Sequence, residues 1–284
     1  MMTKSALVLK AIKFEHTLFA LPFALLSAFV AADGVPTPSV LGWILVAMVA
    51  ARSSAMAVNR LADLQHDQIN PRTASWPLAA GLLSVRAMWI FAVSCAGVLV
   101  VAAAMLNRLA LCLSPVALLI VWGYSYLKRF TALCHFLLGL SLAVAPVGAW
   151  VAVRAEIGPP ALVLGLAVLL WTAGFDIIYA TQDLDFDRAH RLPTAPARLG
   201  IAPALALSAA VHALAFALLL WFKALAALGN IFLVGLGIAG VMLVYQHAII
   251  RPSDLSRVNA AFFSANGVVS VALFFFGAAD IYCH

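Results

Sequence analysis

Long apolar runs separated by brief polar punctuation dominate this chain. Runs close to the ~20 residues that carry a helix across a bilayer recur from one end to the other. They predict about nine spans, at 16–33, 39–60, 85–106, 109–126, 131–153, 160–182, 201–222, 227–249 and 258–279. The breaks hold turn formers and charges: Asp33-Gly-Val-Pro with Pro38, Asn107-Arg108, Lys128-Arg129, Glu156-Ile-Gly-Pro-Pro160, Lys223 and Arg251-Pro-Ser-Asp254. The expected fold is all-α: a polytopic integral membrane protein with about nine transmembrane helices around a central cavity, as one domain over residues 1–284. Lysines ahead of the first run resemble a signal peptide, but Glu15, His16 and Pro22 interrupt it, so it is read as an uncleaved first span.

Composition sharpens this picture. Of 284 residues, 65% are hydrophobic and 10% charged, with mean hydropathy +1.07, more apolar surface than a soluble core of this length could hide. The net charge of +6 and pI near 9.4 fit basic loops at a membrane rather than a nucleic-acid partner. Lys4, Lys10, Lys13, Arg60, Arg72, Arg86, Lys128, Arg129, Arg188, Arg191, Arg198, Arg251 and Arg257 fall on one side of the predicted spans. Only Arg108, Arg154 and Lys223 fall on the other. The bias puts the N-terminus and the polar loops in the cytoplasm and the C-terminus outside. Cys95, Cys112, Cys134 and Cys283 lack metal-type spacing and are expected as free thiols, mostly buried.

One stretch stands out from the oil: NRLADLQHDQINPRTASWPLAAG, Asn59 to Gly81. Asp63 and Asp67 are four residues apart, with Asn59 one turn earlier, so a helix would put all three on one face. Such a face is either a solvated helix end or a place for a hard cation such as Mg2+, which takes oxygen ligands and bridges carboxylates to phosphate. A second cluster, GFDIIYATQDLDFDR, repeats the pattern with Asp183 and Asp187 and adds Asp176 and Tyr179. Asp185 should point away from that face and be solvated. Both clusters close spans on the same predicted side. Two acidic faces can hold two magnesium ions, and two such ions can clamp a diphosphate. Arg72, Lys128, Arg129, Arg188 and Arg198 are the basic residues available to complete the site. With an apolar surround, a polyprenyl diphosphate suits such a site. An ion-coupled transporter is the alternative of a different class, but its acids should lie nearer the bilayer midplane. Arg52, inside the second span, is costly to bury and calls for an anion. A small carboxylate would serve, as would a pairing with Asp176 or a helix carbonyl.

These residues resemble the UbiA superfamily of intramembrane prenyltransferases. The matching stretches are NRLADLQHD with NPRT, YSYLKRFT (Tyr124 to Thr131) and DIIYATQDLDFD. IKFEHTLFALPFALL (Ile12 to Leu26) and APVGAW (Ala145 to Trp150) resemble the 4-hydroxybenzoate polyprenyltransferase branch. The resemblance implies magnesium held by Asn59, Asp63 and Asp67 on one face and by Asp183 and Asp187 on the other, with Asp176 near the second. It implies diphosphate contacts from Arg72 and Lys128, with Tyr124 in a Tyr-x-x-x-Lys pattern, and an acceptor contact from Arg52. The implied catalytic set is Asp63, Asp67, Asp183, Asp187 and Lys128, with Tyr179, Arg129 and Arg198 as further substrate contacts. The implied reaction is Mg2+-dependent transfer of a polyprenyl group from its diphosphate to a small aromatic acid in ubiquinone or menaquinone biosynthesis. A naphthoate, haem, chlorophyllide or phosphorylated sugar remains open as acceptor. Two departures from the family pattern stand out: Trp76 where arginine is common, and Pro193, in RLPTAPAR, where histidine is expected. His135, His212 and His247 are expected to pack at helix interfaces.

Overall fold

The computed structural model describes residues 7–8, 17–127 and 129–283; the expectations for Lys4, Lys10, Lys13, His16 and Lys128 lie outside the described residues. Apolar runs have become helices almost run for run. They are α1 (Thr17–Ala32), α2 (Pro38–Ile69), α3 (Val85–Leu106), α4 (Arg108–Leu127), α5 (Cys134–Arg154) and α6 (Pro159–Ala180). Then follow the short α7 (Leu184–Ala189) and α8 (Ala195–Leu199), and α9 (Ile201–Leu225), α10 (Asn230–Ile249) and α11 (Val258–Cys283). Among the described residues eight helices are long and apolar enough to cross a membrane, while α1 has only 16 residues. The chain is an integral membrane protein. The main departure from the predicted spans is α2, which ends at Ile69 instead of residue 60. Its polar last turns continue the helix past the apolar run. The four cysteines are free thiols, but only Cys134 is buried, and Cys112 and Cys283 are exposed on apolar helices.

The chain forms two compact units, one built on Ser39–Tyr126 and the other on Leu18–Pro38 with Leu127–His284. In the first, Ala57, Val58, Leu78, Leu83, Met88 and Ala92 make the core, with Leu7 and Val8 packed against it. Ser54 joins three helices. Its Oγ accepts from Trp122 Nε1 of α4 at 3.0 Å and donates to the Ala92 carbonyl of α3 at 2.8 Å. Without water to bond instead, such polar side chains find partners on neighbouring helices.

In the second unit α6 is the central helix, packed between α5 and α9. Gly139 of α5 permits close approach: a Cβ there would lie 2.2 Å from the Leu169 carbonyl oxygen. Aromatic rings fill one side of this unit, Phe23 on Trp171, Trp171 on Phe175, and Phe262 against Phe19, Phe175 and Tyr179. A π-turn at Ala261–Ala265 disturbs the ladder of α11, and Asn266 Nδ2 repairs it by donating to the Phe262 carbonyl at 2.8 Å. Asp280, fully buried in α11, caps α10. Its oxygens accept from Gly229 N, from Ile231 N at 2.8 Å and from Phe232 N at 3.1 Å. These amides are among the orphan donors of a helix start, and the carboxylate also meets the positive end of the helix dipole.

Asp280→Ala should therefore cost about 2–4 kcal/mol by stranding buried donors. A lower thermal midpoint in detergent, with Asp280→Asn falling between variant and parent, is the expected result. An unchanged midpoint for Asp280→Ala would contradict this role.

Candidate functional site

The extended α2 positions the first cluster. Residues 59, 60, 63 and 67 recur at helical spacing along its last turns, so Asn59, Arg60, Asp63 and Asp67 share a face. Asn59, Arg60 and Asp63 are buried, and Asp67 is partly covered. The Arg60 guanidinium lies among these groups: Nη1 donates to Asp67 Oδ2 at 3.2 Å, and Nη2 donates to Asn59 Oδ1. Asn59 Nδ2 reaches back to Ser125 Oγ of α4 at 3.5 Å, which orients its oxygen toward the arginine.

The segment after α2 folds back onto the same turns. Asn70 Oδ1 accepts from Arg72 N at 2.9 Å, the Asn70 carbonyl accepts from Thr73 N and Ala74 N, and Thr73 Oγ1 donates to the Asp67 carbonyl at 3.0 Å. This Asx turn brings Trp76 beneath two cations. The Arg60 guanidinium carbon lies 4.2 Å from its ring centroid and that of Arg72 5.7 Å, so Trp76 gathers arginines by cation–π attraction. Arg72 is exposed, while Arg52 and Tyr124 of the same unit are half-buried.

In the second unit the acids sit on a broken helix. A 3-10 turn at Thr181–Asp183 separates α6 from α7, so Asp176, Asp183 and Asp187 do not follow one straight helical register. Asp187 is buried and Asp183 half-buried, while Asp185 is exposed, as its spacing predicts. Thr194 Oγ1 donates to Asp187 Oδ2 at 2.8 Å. One residue on, the Ala195 amide donates to His135 Nε2 at 3.1 Å, and His135 Nδ1 lies 2.7 Å from Asp176 Oδ2. Accepting at Nε2 requires that His135 carry its proton on Nδ1 and donate it to Asp176. The histidine expected only to pack is instead the link from Asp176 to the segment that touches Asp187. Tyr179 lies against Phe262, with ring centroids 4.4 Å apart. Arg129 is half-buried and Arg198 exposed.

Each face thus offers carboxylate oxygens, joined in α2 by an amide oxygen. Among the described residues no cluster of three or more His, Cys, Asp and Glu side chains makes a complete metal cage. Magnesium does not need one, since it takes one or two carboxylates and fills its octahedron with water and phosphate oxygens. The α2 donor set fits such an ion: Asn59 Oδ1 and Asp67 Oδ2 already meet on one cationic group.

The sequence profile of the UbiA prenyltransferase family matches residues 20–273. The chain belongs to this family. Among its relatives, the 4-hydroxybenzoate octaprenyltransferase of Ralstonia nicotianae is 32% identical over 270 residues, covering 94% of this chain and 90% of that one. The enzyme of the same name from Aliivibrio fischeri is 31% identical, covering 86% and 87%. Among solved structures, an apo UbiA homologue from Aeropyrum pernix superposes with a TM-score of 0.81 at 34% identity, covering 95% of this chain and 98% of that one. A UbiA homologue from Archaeoglobus fulgidus bound to DMAPP and Mg2+ has a TM-score of 0.71 at 19% identity, covering 98% and 99%, and shares the fold.

Sequence spacing found the acids but missed Arg60, His135 and Thr194. The separation of Arg60 from Asp67, two helical turns, was available as a signal. Nothing local marks His135, whose partners come from residues 176 and 195. If His135 fastens the Ala195 amide, His135→Ala should raise deuterium uptake in the peptide spanning 188–198 by about tenfold or more in rate. His135→Gln, which can still accept at that position, should restore part of the protection. Uptake unchanged in the alanine variant would contradict the link.

Proposed function

We propose that this chain transfers a polyprenyl group from polyprenyl diphosphate to a small aromatic acid of the 4-hydroxybenzoate kind, releasing diphosphate, in quinone biosynthesis. The reading takes residues 1–284 as one catalytic domain in a bacterial inner membrane, with the N-terminus and both acidic clusters on the cytoplasmic side. The observation that carries it is the α2 face, where Asn59 Oδ1 and Asp67 Oδ2 are directed onto a single cation. The relatives named as 4-hydroxybenzoate octaprenyltransferases, matched over most of their length, supply the substrate class.

In this reading Asn59, Asp63 and Asp67 hold one magnesium ion, and Asp183 and Asp187 hold another. Bound magnesium supplies Lewis-acid stabilisation of the charge that develops on the departing diphosphate. Arg72, Lys128, Arg129 and Arg198 bind diphosphate oxygens, and Tyr124, Asp176 and Tyr179 support the same substrate. The allylic carbon–oxygen bond breaks with its electron pair leaving on the diphosphate. The phenol ring, electron-rich beside its hydroxyl, forms the new carbon–carbon bond and then loses the proton from that carbon. Arg52 orients the acceptor by pairing two N–H groups with its carboxylate.

The test is an assay of membranes carrying the protein, supplied with geranyl or longer prenyl diphosphate, a divalent cation and a panel of aromatic acids. Product should require the cation and fall at least about a hundredfold after Asp63→Ala or Asp183→Ala. Arg52→Ala should raise the acceptor KM by about tenfold to a hundredfold, the range for hydrogen bonds to charged groups, with the donor KM nearly unchanged. Efficient product formation in excess chelator would refute the mechanism.

A further inference from the structure

We propose that Arg60 is the resident cation of the first acidic face and sets how tightly that face takes a divalent ion. The inference rests on the reading of Asn59, Asp63 and Asp67 as magnesium ligands. It adds that these ligands are not waiting empty-handed.

Arg60 is placed where a bridging ion would compete with it. Its two terminal nitrogens engage Asn59 Oδ1 and Asp67 Oδ2, oxygens contributed from two levels of the same helix face. It is buried, at 9% exposure, so its charge is only weakly screened there. Its presence changes the charge of the face: Asp63 and Asp67 together carry −2, and with Arg60 the sum is −1. A divalent ion entering between Asn59 and Asp67 must either expel the guanidinium or share oxygens with it at close range. Both lower its affinity.

The guanidinium already rests on a second partner. Trp76 presents its ring 4.2 Å away, and the π-face keeps its attraction for the cation after the contact with Asp67 is broken. The long aliphatic stem of arginine allows that small displacement without moving the helix. Arg60 therefore serves two states. Without metal it prevents mutual repulsion of Asp63 and Asp67 and keeps the last turns of α2 helical. With metal it is held back against Trp76, near Arg72, whose guanidinium shares the same ring at 5.7 Å. Arg60 is thus a positioning residue, acting on the metal through the oxygens it holds. It makes the first face weak for a divalent ion on its own and dependent on the negative charge that a diphosphate brings.

The decisive experiment is a Mn2+ titration of the detergent-solubilised full-length protein, followed by loss of the free-ion electron paramagnetic resonance signal, without prenyl diphosphate. All proteins carry Asp183→Asn and Asp187→Asn, so that the first face alone reports. Arg60→Ala should tighten the Mn2+ Kd by about tenfold or more, the scale expected when a neighbouring like charge is removed from a partly screened site. Arg60→Gln keeps much of the stem without the charge and should behave the same way, which guards against a folding defect in the alanine variant. Arg60→Lys keeps the charge and should stay within about threefold of the parent. Mn2+ binding by the parent with unchanged or weaker affinity in Arg60→Gln would overturn the role of Arg60 and leave the metal reading intact. Absence of Mn2+ binding in every protein would overturn both.

Discussion

A buried charge or polar group in hydrocarbon must find a partner within the protein, and this requirement shapes the chain. Asp280 answers it by closing the start of α10, Ser54 by joining three helices, and Asn266 by serving a carbonyl released in a π-turn. The same requirement explains the acids. Six of the eleven Asp and Glu residues lie at 63, 67, 176, 183, 185 and 187, gathered where spans end. Of those that are buried, Asp187 accepts from Thr194, and Asp63 lies on the face whose charge Arg60 halves. Concentrating charge in this way is expensive unless a ligand of opposite sign makes use of it.

Much of the fold was legible because hydrocarbon thickness sets helix length and apolar runs report it directly. The end of α2 was not, since its last turns are polar and resemble a loop when judged by hydropathy. They are helical because Arg60 bonds to Asp67 and Asn59 along a single face, and because Thr73 folds back onto the Asp67 carbonyl. In the second unit the spacing of Asp183 and Asp187 marks the acidic cluster, while the 3-10 turn that breaks the helical register there has no signature in the spacing. His135 was invisible for a plainer reason. Its partners are 41 and 60 residues away along the chain.

Two departures from the family pattern acquire physical meaning in the structure. Trp76 replaces a charge with a ring, and the ring collects the guanidinium groups of Arg60 and Arg72. Pro193 is buried and stands directly before Thr194, whose hydroxyl is bonded to Asp187. A proline there stiffens the approach to that contact by fixing its own φ. Both substitutions therefore fall in segments that hold acids in place, and both leave the acids themselves unchanged. Membership of the UbiA prenyltransferase family and the oxygen-rich faces point to the same chemistry from independent directions.

In the proposed reaction two acid groups, from distant parts of the sequence, serve one diphosphate. A double-mutant cycle tests this most directly, using Asp63→Asn and Asp187→Asn and reading the Kd of an unreactive prenyl thiodiphosphate in saturating Mg2+. Groups acting on one ligand should couple, so the second substitution should cost far less after the first than it does alone, by about 1 kcal/mol or more. Losses that simply add would mean that the two acids serve separate purposes, and would contradict the account.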